Sequence, residues 1–129
     1  MKDFWGKVRH ERQFLARTGL SMKHFDDRLD EFSSCRDSMR NKNYRKHRKT
    51  RVRKPGGGRK GILIPPKNKL FFLRCFLKSY PIFDGIGFVF EMSPSNASEN
   101  VKKLMPVLKM ALKKSAGATE ALFQRCGRV

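Results

Sequence analysis

The chain has 129 residues, with 30 Lys and Arg against 11 Asp and Glu, a formal charge of +19 at pH 7. Hydrophobic residues make up 39%, with eleven Phe among them, so a small core can form and wholesale disorder is excluded. A surface this cationic selects polyanionic partners, nucleic acid first and an anionic membrane second.

The first helix is expected over about 3–17, with Gly19 as its C-cap. Ser21 is a good N-cap for a second helix. There Met22, Phe25, Leu29, Phe32, Cys35 and Met39 recur in steps of three and four, one apolar stripe. Asp26, Asp27, Asp30 and Glu31 occupy early polar positions of that helix, and Asp26 and Asp27 are near enough to its start to favour the helix dipole. These elements form an N-terminal helical hairpin, 1–39, too small to stand alone.

A basic linker, 40–64, follows. Between Arg40 and Lys60 lie eleven Lys and Arg and no acid, and Pro55, Gly56, Gly57, Gly58 and Gly61 break any helix there. Such an extended cationic arm can lie in a narrow minor groove or simply contact phosphates; Arg51, Arg53, Lys54, Arg59 and Lys60 are its candidate contacts. It resembles an AT-hook without that motif's tight Gly-Arg-Pro core. The alternative is a solvated charge run that binds any polyanion.

Downstream, Pro65 and Pro66 suit a helix's first turn, and a helix is expected to Tyr80 with Leu70, Leu73, Leu77 and Tyr80 on one face. Pro81 ends it. A short helix over 83–91, a turn at Met92 and Ser93, and a longer helix opened by Ser93 and Pro94 complete the unit. The last helix carries Ala97, Val101, Leu104, Leu108 and Leu112 on one side, and Pro106 should kink or divide it. No period is visible in 115–129, which reads as an irregular tail.

The fold class is therefore all-α: a helical hairpin, a basic linker, and over 65–114 a tri-helical helix-turn-helix unit. Gly87 would permit close approach within that unit, and Ile86, Phe90, Ala97 and Val101 would form its joint. Major-groove contacts would come from the start of the last helix: Ser95, Asn96, Ser98, Glu99 and Lys102. Asn suits adenine, and Lys reaches guanine or phosphate. The plain alternative is a helical bundle with a solvated polar face.

Pro55 to Lys60, Lys69-Leu70 through Phe76 to Pro81, Gly87 to Ser93 and Leu104 to Leu108 together resemble the N-terminal region of insertion-sequence DDE transposases. Thr18 to Ser21, with Phe25, Leu29 and Phe32, resembles the same family, so the likeness runs over about 12–113. The resemblance implies double-stranded DNA as partner, recognition of a mobile element's terminal inverted repeats, and a cytoplasmic, nucleoid-associated protein. It also implies self-association or contact with a full-length transposase. The family's RNase-H-like catalytic domain and its metal-binding carboxylates have no counterpart after 113, so the chain is expected to be a truncated transposase without strand transfer of its own. Glu91 stands where the family has a turn glycine. Ile82 and Phe83 replace a small polar pair, and Asn100 replaces a bulky apolar residue.

Other chemistry has little support. The histidines are scattered and Cys35, Cys75 and Cys126 have no zinc-ligand spacing, so no metal is expected, and the thiols read as reduced. The Gly-rich stretch lacks phosphate-loop spacing, and Ser93 and Ser95 have no activating base nearby. No cofactor, small-molecule substrate, secretory signal or membrane span is expected. Phe71, Phe72, Phe76, Phe83, Phe88 and Phe90 are expected to be mostly core. The rival function is a general RNA- or ribosome-associated basic protein.

Overall fold

Helical spacing in the sequence becomes five α-helices, with no strand among the described residues: α1 (Glu11–Thr18), α2 (Met22–Lys46), α3 (Pro66–Ser79), α4 (Phe83–Val89) and α5 (Pro94–Cys126). This computed structural model describes residues 8–54 and 58–126, with side chains to 116. Pro55, Gly56 and Gly57 of the expected arm, the start of the expected first helix, and the side chains of Glu120 and Cys126 lie outside the described residues.

α3 is the central strut. Its Leu70, Phe71, Phe72, Leu73 and Phe76 are buried, and it packs against α1, α2 and α5. Burying such a side chain contributes about 1.5–3 kcal/mol. Phe14 of α1 meets Phe25 of α2 edge to face at 5.2 Å and stacks on Phe71 at 5.9 Å. Phe90, just after α4, meets Phe71 at 5.8 Å and Phe72 at 5.0 Å. A polar tie reinforces α1 on α3: Arg74 Nε donates to the Thr18 carbonyl at 3.2 Å. Gly19, at φ 72°, closes α1 through its N–H to Leu15 O at 2.8 Å, as expected of a C-cap glycine.

Several expectations need correction. α1 begins at Glu11 and not near residue 3: His10 is extended, and Gln13 Oε1 accepts the Arg9 N–H at 3.2 Å across the entry. α2 runs past Met39 to Lys46, because 40–46 holds no helix breaker and Arg45 and Lys46 suit the negative end of the dipole. The linker is thus not extended throughout; 47–50 is a turn closed by Thr50 N–H and Oγ1 on the His47 carbonyl. Its far end is anchored by buried Leu63. On α3 the apolar face leaves the core at its C-terminal end: Leu77 is at the surface and Tyr80 is 77% exposed. Phe83 and Phe88 also face out, Phe88 at 88%. On α5, Leu112 is exposed, and the buried line shifts to Val107 and Ala111.

Pro106 does not divide α5. It removes the donor for the Lys102 carbonyl four residues back, but both residues are exposed, so solvent can serve that carbonyl. The expected irregular tail is helical to Cys126, since Ala, Leu, Lys, Glu and Gln dominate 111–125 and all favour helix. Ser115 Oγ donates to Glu31 Oε2, tying this continuation to α2.

The link between α4 and α5 is tight. Phe90 and Glu91 turn the chain, Glu91 sits in the left-handed region at φ 55°, and the Met92 N–H donates to Gly87 O at 2.8 Å. A Cβ on Gly87 would lie 2.6 Å from the Met92 carbonyl oxygen, so the close approach is to the turn itself rather than to α5. Gly87→Ala is therefore expected to lower the free energy of unfolding by about 1–3 kcal/mol. Glu91→Gly, which removes the left-handed strain, should raise it by about 0.5–1 kcal/mol. Urea denaturation of the two variants checks both signs.

Candidate nucleic-acid interface

Ser93 is placed to start α5 as its sequence suggests. The Asn96 N–H donates to Ser93 Oγ at 3.3 Å and the Ala97 N–H to Ser93 O at 3.0 Å. Ala97 is fully buried with Ile86 and Phe90, and Val101 packs against them, so this side of α5 is held on α4. The opposite side faces solvent: Ser95, Asn96, Glu99 and Lys102 are exposed and Ser98 is half-buried. At about 1.5 Å per residue, Ser95 to Lys102 spans roughly 10 Å of axis, enough to follow a few base pairs.

Helical rotation sorts these residues. Ser95, Ser98 and Lys102 fall on one stripe, while Asn96 shares its side with Lys103. Glu99 pairs with Lys103 at 3.6 Å, both exposed. That pair cancels a cation beside Asn96 and contributes little stability. Asn100, out of place for a bulky apolar position, turns back to the α4–α5 turn and donates to Met92 Sδ at 3.6 Å.

The second predicted group is separate. Arg51, Arg53, Lys54, Arg59 and Lys60 are all exposed on the segment between α2 and α3. No hydrogen bond or ion pair among the described residues joins them to the α5 group.

A third cationic group escaped the sequence pattern. Arg36 and Arg40 lie one turn apart on α2, which packs against α3, and both are near enough to Lys69 of α3 to act on it electrostatically. Arg28 and Arg74 form a second like-charged pair farther along the same seam. The pairings run in opposite order along α2 and α3, so the two helices are antiparallel. Burial, then Arg36 and Arg40, lower Lys69 from 10.5 to about 8, with Asp37 opposing. Burial, then Arg40, lowers Arg36, and burial, then Arg28, lowers Arg74. The only advance signal is the four-residue spacing of Arg36 and Arg40; what Lys69 would face depends on the helix pairing.

Elsewhere, a cavity of about 410 Å³ between α1, α3 and α4 is lined largely by apolar groups, including Val8, Phe71, Pro81 and Val89. Cys75 borders it, and burial pushes its thiol up to about 11, which keeps it protonated and unreactive. Among the described residues no three His, Cys, Asp or Glu gather to hold a metal, and no helix is long and apolar enough to cross a membrane. No protein-family model matches the chain, and neither the curated proteins nor the solved structures yield a match.

The Lys69 environment has a thermodynamic signature. The folded state holds this proton less tightly than the unfolded chain, so its penalty is complete below pH 8 and fades as pH rises toward 10.5. Lys69→Met should stabilise the protein by about 1–2 kcal/mol at pH 7, allowing for solvent screening. Paired denaturation curves should show that gain shrinking between pH 8 and 10.5; a gain independent of pH contradicts the assignment.

Proposed function

We propose that the chain binds double-stranded DNA as the end-recognition module of a transposase, directed to the terminal inverted repeats of a mobile element. The observation that supports this most is the α4–turn–α5 unit: a short helix packed against a longer one whose first two turns carry a polar, solvent-facing side, backed by α3. In such a unit the start of the second helix enters the major groove. Asn96 is the residue suited to adenine, Lys102 to guanine or a phosphate, and Ser95 and Ser98 to positioning on the backbone. Arg51, Arg53, Lys54, Arg59 and Lys60 supply backbone or minor-groove contact from the adjoining segment. The reading assigns the chain binding and no strand transfer.

A mobility-shift comparison tests it, using duplexes from the DNA flanking the coding sequence and scrambled controls at about 150 mM salt. The cognate end should bind more tightly, and Asn96→Ala should reduce that preference about tenfold or more while leaving scrambled DNA nearly unaffected. Equal affinity for cognate and scrambled duplexes, with structured RNA competing as well as either, would instead establish a general basic RNA-associated protein.

A further inference from the structure

Three cations at the α2–α3 seam are unused by the reading above. Arg36 and Lys69 are half-buried and Arg40 is exposed. Lys69 lies in the first turn of α3, where the helix dipole is positive, and that turn contains no acid. Burial acts against Arg36 and Lys69, repulsion acts among all three, and the dipole of α3 acts against Lys69. Asp37 offsets part of this, yet among the described residues none of the three makes a salt bridge. A fold that gathers cations at a cost to its own stability is preorganised for an anion. Two guanidinium forks and an ammonium match the oxygens of a phosphate group.

Position adds an independent argument. Arg40 is about 9 Å along the axis from the end of α2 at Lys46, and Lys69 is three residues into α3. The cluster thus sits at the end of the antiparallel pair from which the segment carrying Arg51, Arg53, Lys54, Arg59 and Lys60 emerges. The two cationic groups adjoin, as contacts along one polyanion require.

We propose that Arg36, Arg40 and Lys69 form a phosphate-binding site at the α2–α3 seam, and that the phosphate it takes belongs to a nucleic-acid backbone. The source of the phosphate rests on the DNA reading; the site does not. Binding would bring a negative charge to Lys69 and favour its protonated form.

The test is calorimetric titration of the full chain, wild type, Arg36→Ala/Arg40→Ala and Lys69→Met, with a random-sequence duplex of about 20 base pairs and separately with inorganic pyrophosphate. Circular dichroism and a cooperative melt confirm that each variant folds, and Lys69→Met is expected to be the more stable protein. Both variants should weaken duplex binding about fivefold or more for any sequence, lower the salt slope by about 1 per lost contact, and lose pyrophosphate. At pH 8 the wild type should take up a fraction of a proton on binding duplex, and Lys69→Met should not. Variants that bind duplex and pyrophosphate like the wild type overturn the site and leave the DNA reading standing. A wild type that ignores duplex but loses pyrophosphate binding on substitution keeps the site, makes a free phosphate ester its ligand, and overturns the DNA reading. A wild type that binds neither overturns both.

Discussion

A connected line of phenylalanine rings holds this strongly charged chain together. Phe25, Phe14, Phe71, Phe90 and Phe72 touch in sequence, edge to face or stacked, and they come from α1, α2, α3 and the end of α4. Aromatic pairs of this kind add about 0.5–1.5 kcal/mol each beyond the area they bury. That matters in a molecule with a formal charge of +19, where self-repulsion opposes compaction. The rings also determine what the surface can do. With α3 pinned between α1, α2 and α5, the basic segment leaves the body between two fixed helix ends, and α5 is presented from a tight turn rather than a loose loop.

Charge is sorted along the helices as well as between core and surface. α2 carries Asp26, Asp27, Asp30 and Glu31 in its first half, interspersed with Lys23 and Arg28, and ends on Arg45 and Lys46, where the dipole welcomes cations. α3 does the reverse, with Lys67 and Lys69 in its first turn. The two ends meet in the antiparallel pairing, one favourable and one not. On α5 the sign is mixed, since Glu99 neutralises Lys103 beside Asn96. Positive charge is therefore concentrated on the α2–α3 side, while the start of α5 is polar and nearly balanced. Under the proposed DNA binding, that division would suit attraction by one surface and base reading by another.

Much of the fold was legible because it rests on local chemistry. The Ser21 and Ser93 caps, the proline start of α3, the Gly19 cap and the Ile86–Phe90–Ala97 joint are all short-range patterns, and all are present. What the pattern missed depended on competition or on tertiary pairing. Residues 40–46 look like linker by charge, but nothing in them breaks a helix already running. The 115–126 stretch lacks an apolar period yet has strong intrinsic helix formers. Leu77, Tyr80, Phe83 and Phe88 are apolar by type but sit where the core has ended. Of the candidate interface, the exposed positions at the start of α5 and on the linker could be read from the sequence. The seam of Arg36, Arg40 and Lys69 could not, because antiparallel packing of α2 on α3 creates it.

The proposed function requires the cationic surface of this helical body to grip the phosphate backbone of duplex DNA. The most direct measurement is the dependence of duplex affinity on salt. With six to ten phosphates neutralised, the logarithm of the binding constant should fall linearly with the logarithm of salt concentration, losing about 10³–10⁵ in affinity between 50 and 200 mM. An affinity that stays within a few-fold across that range would contradict the account.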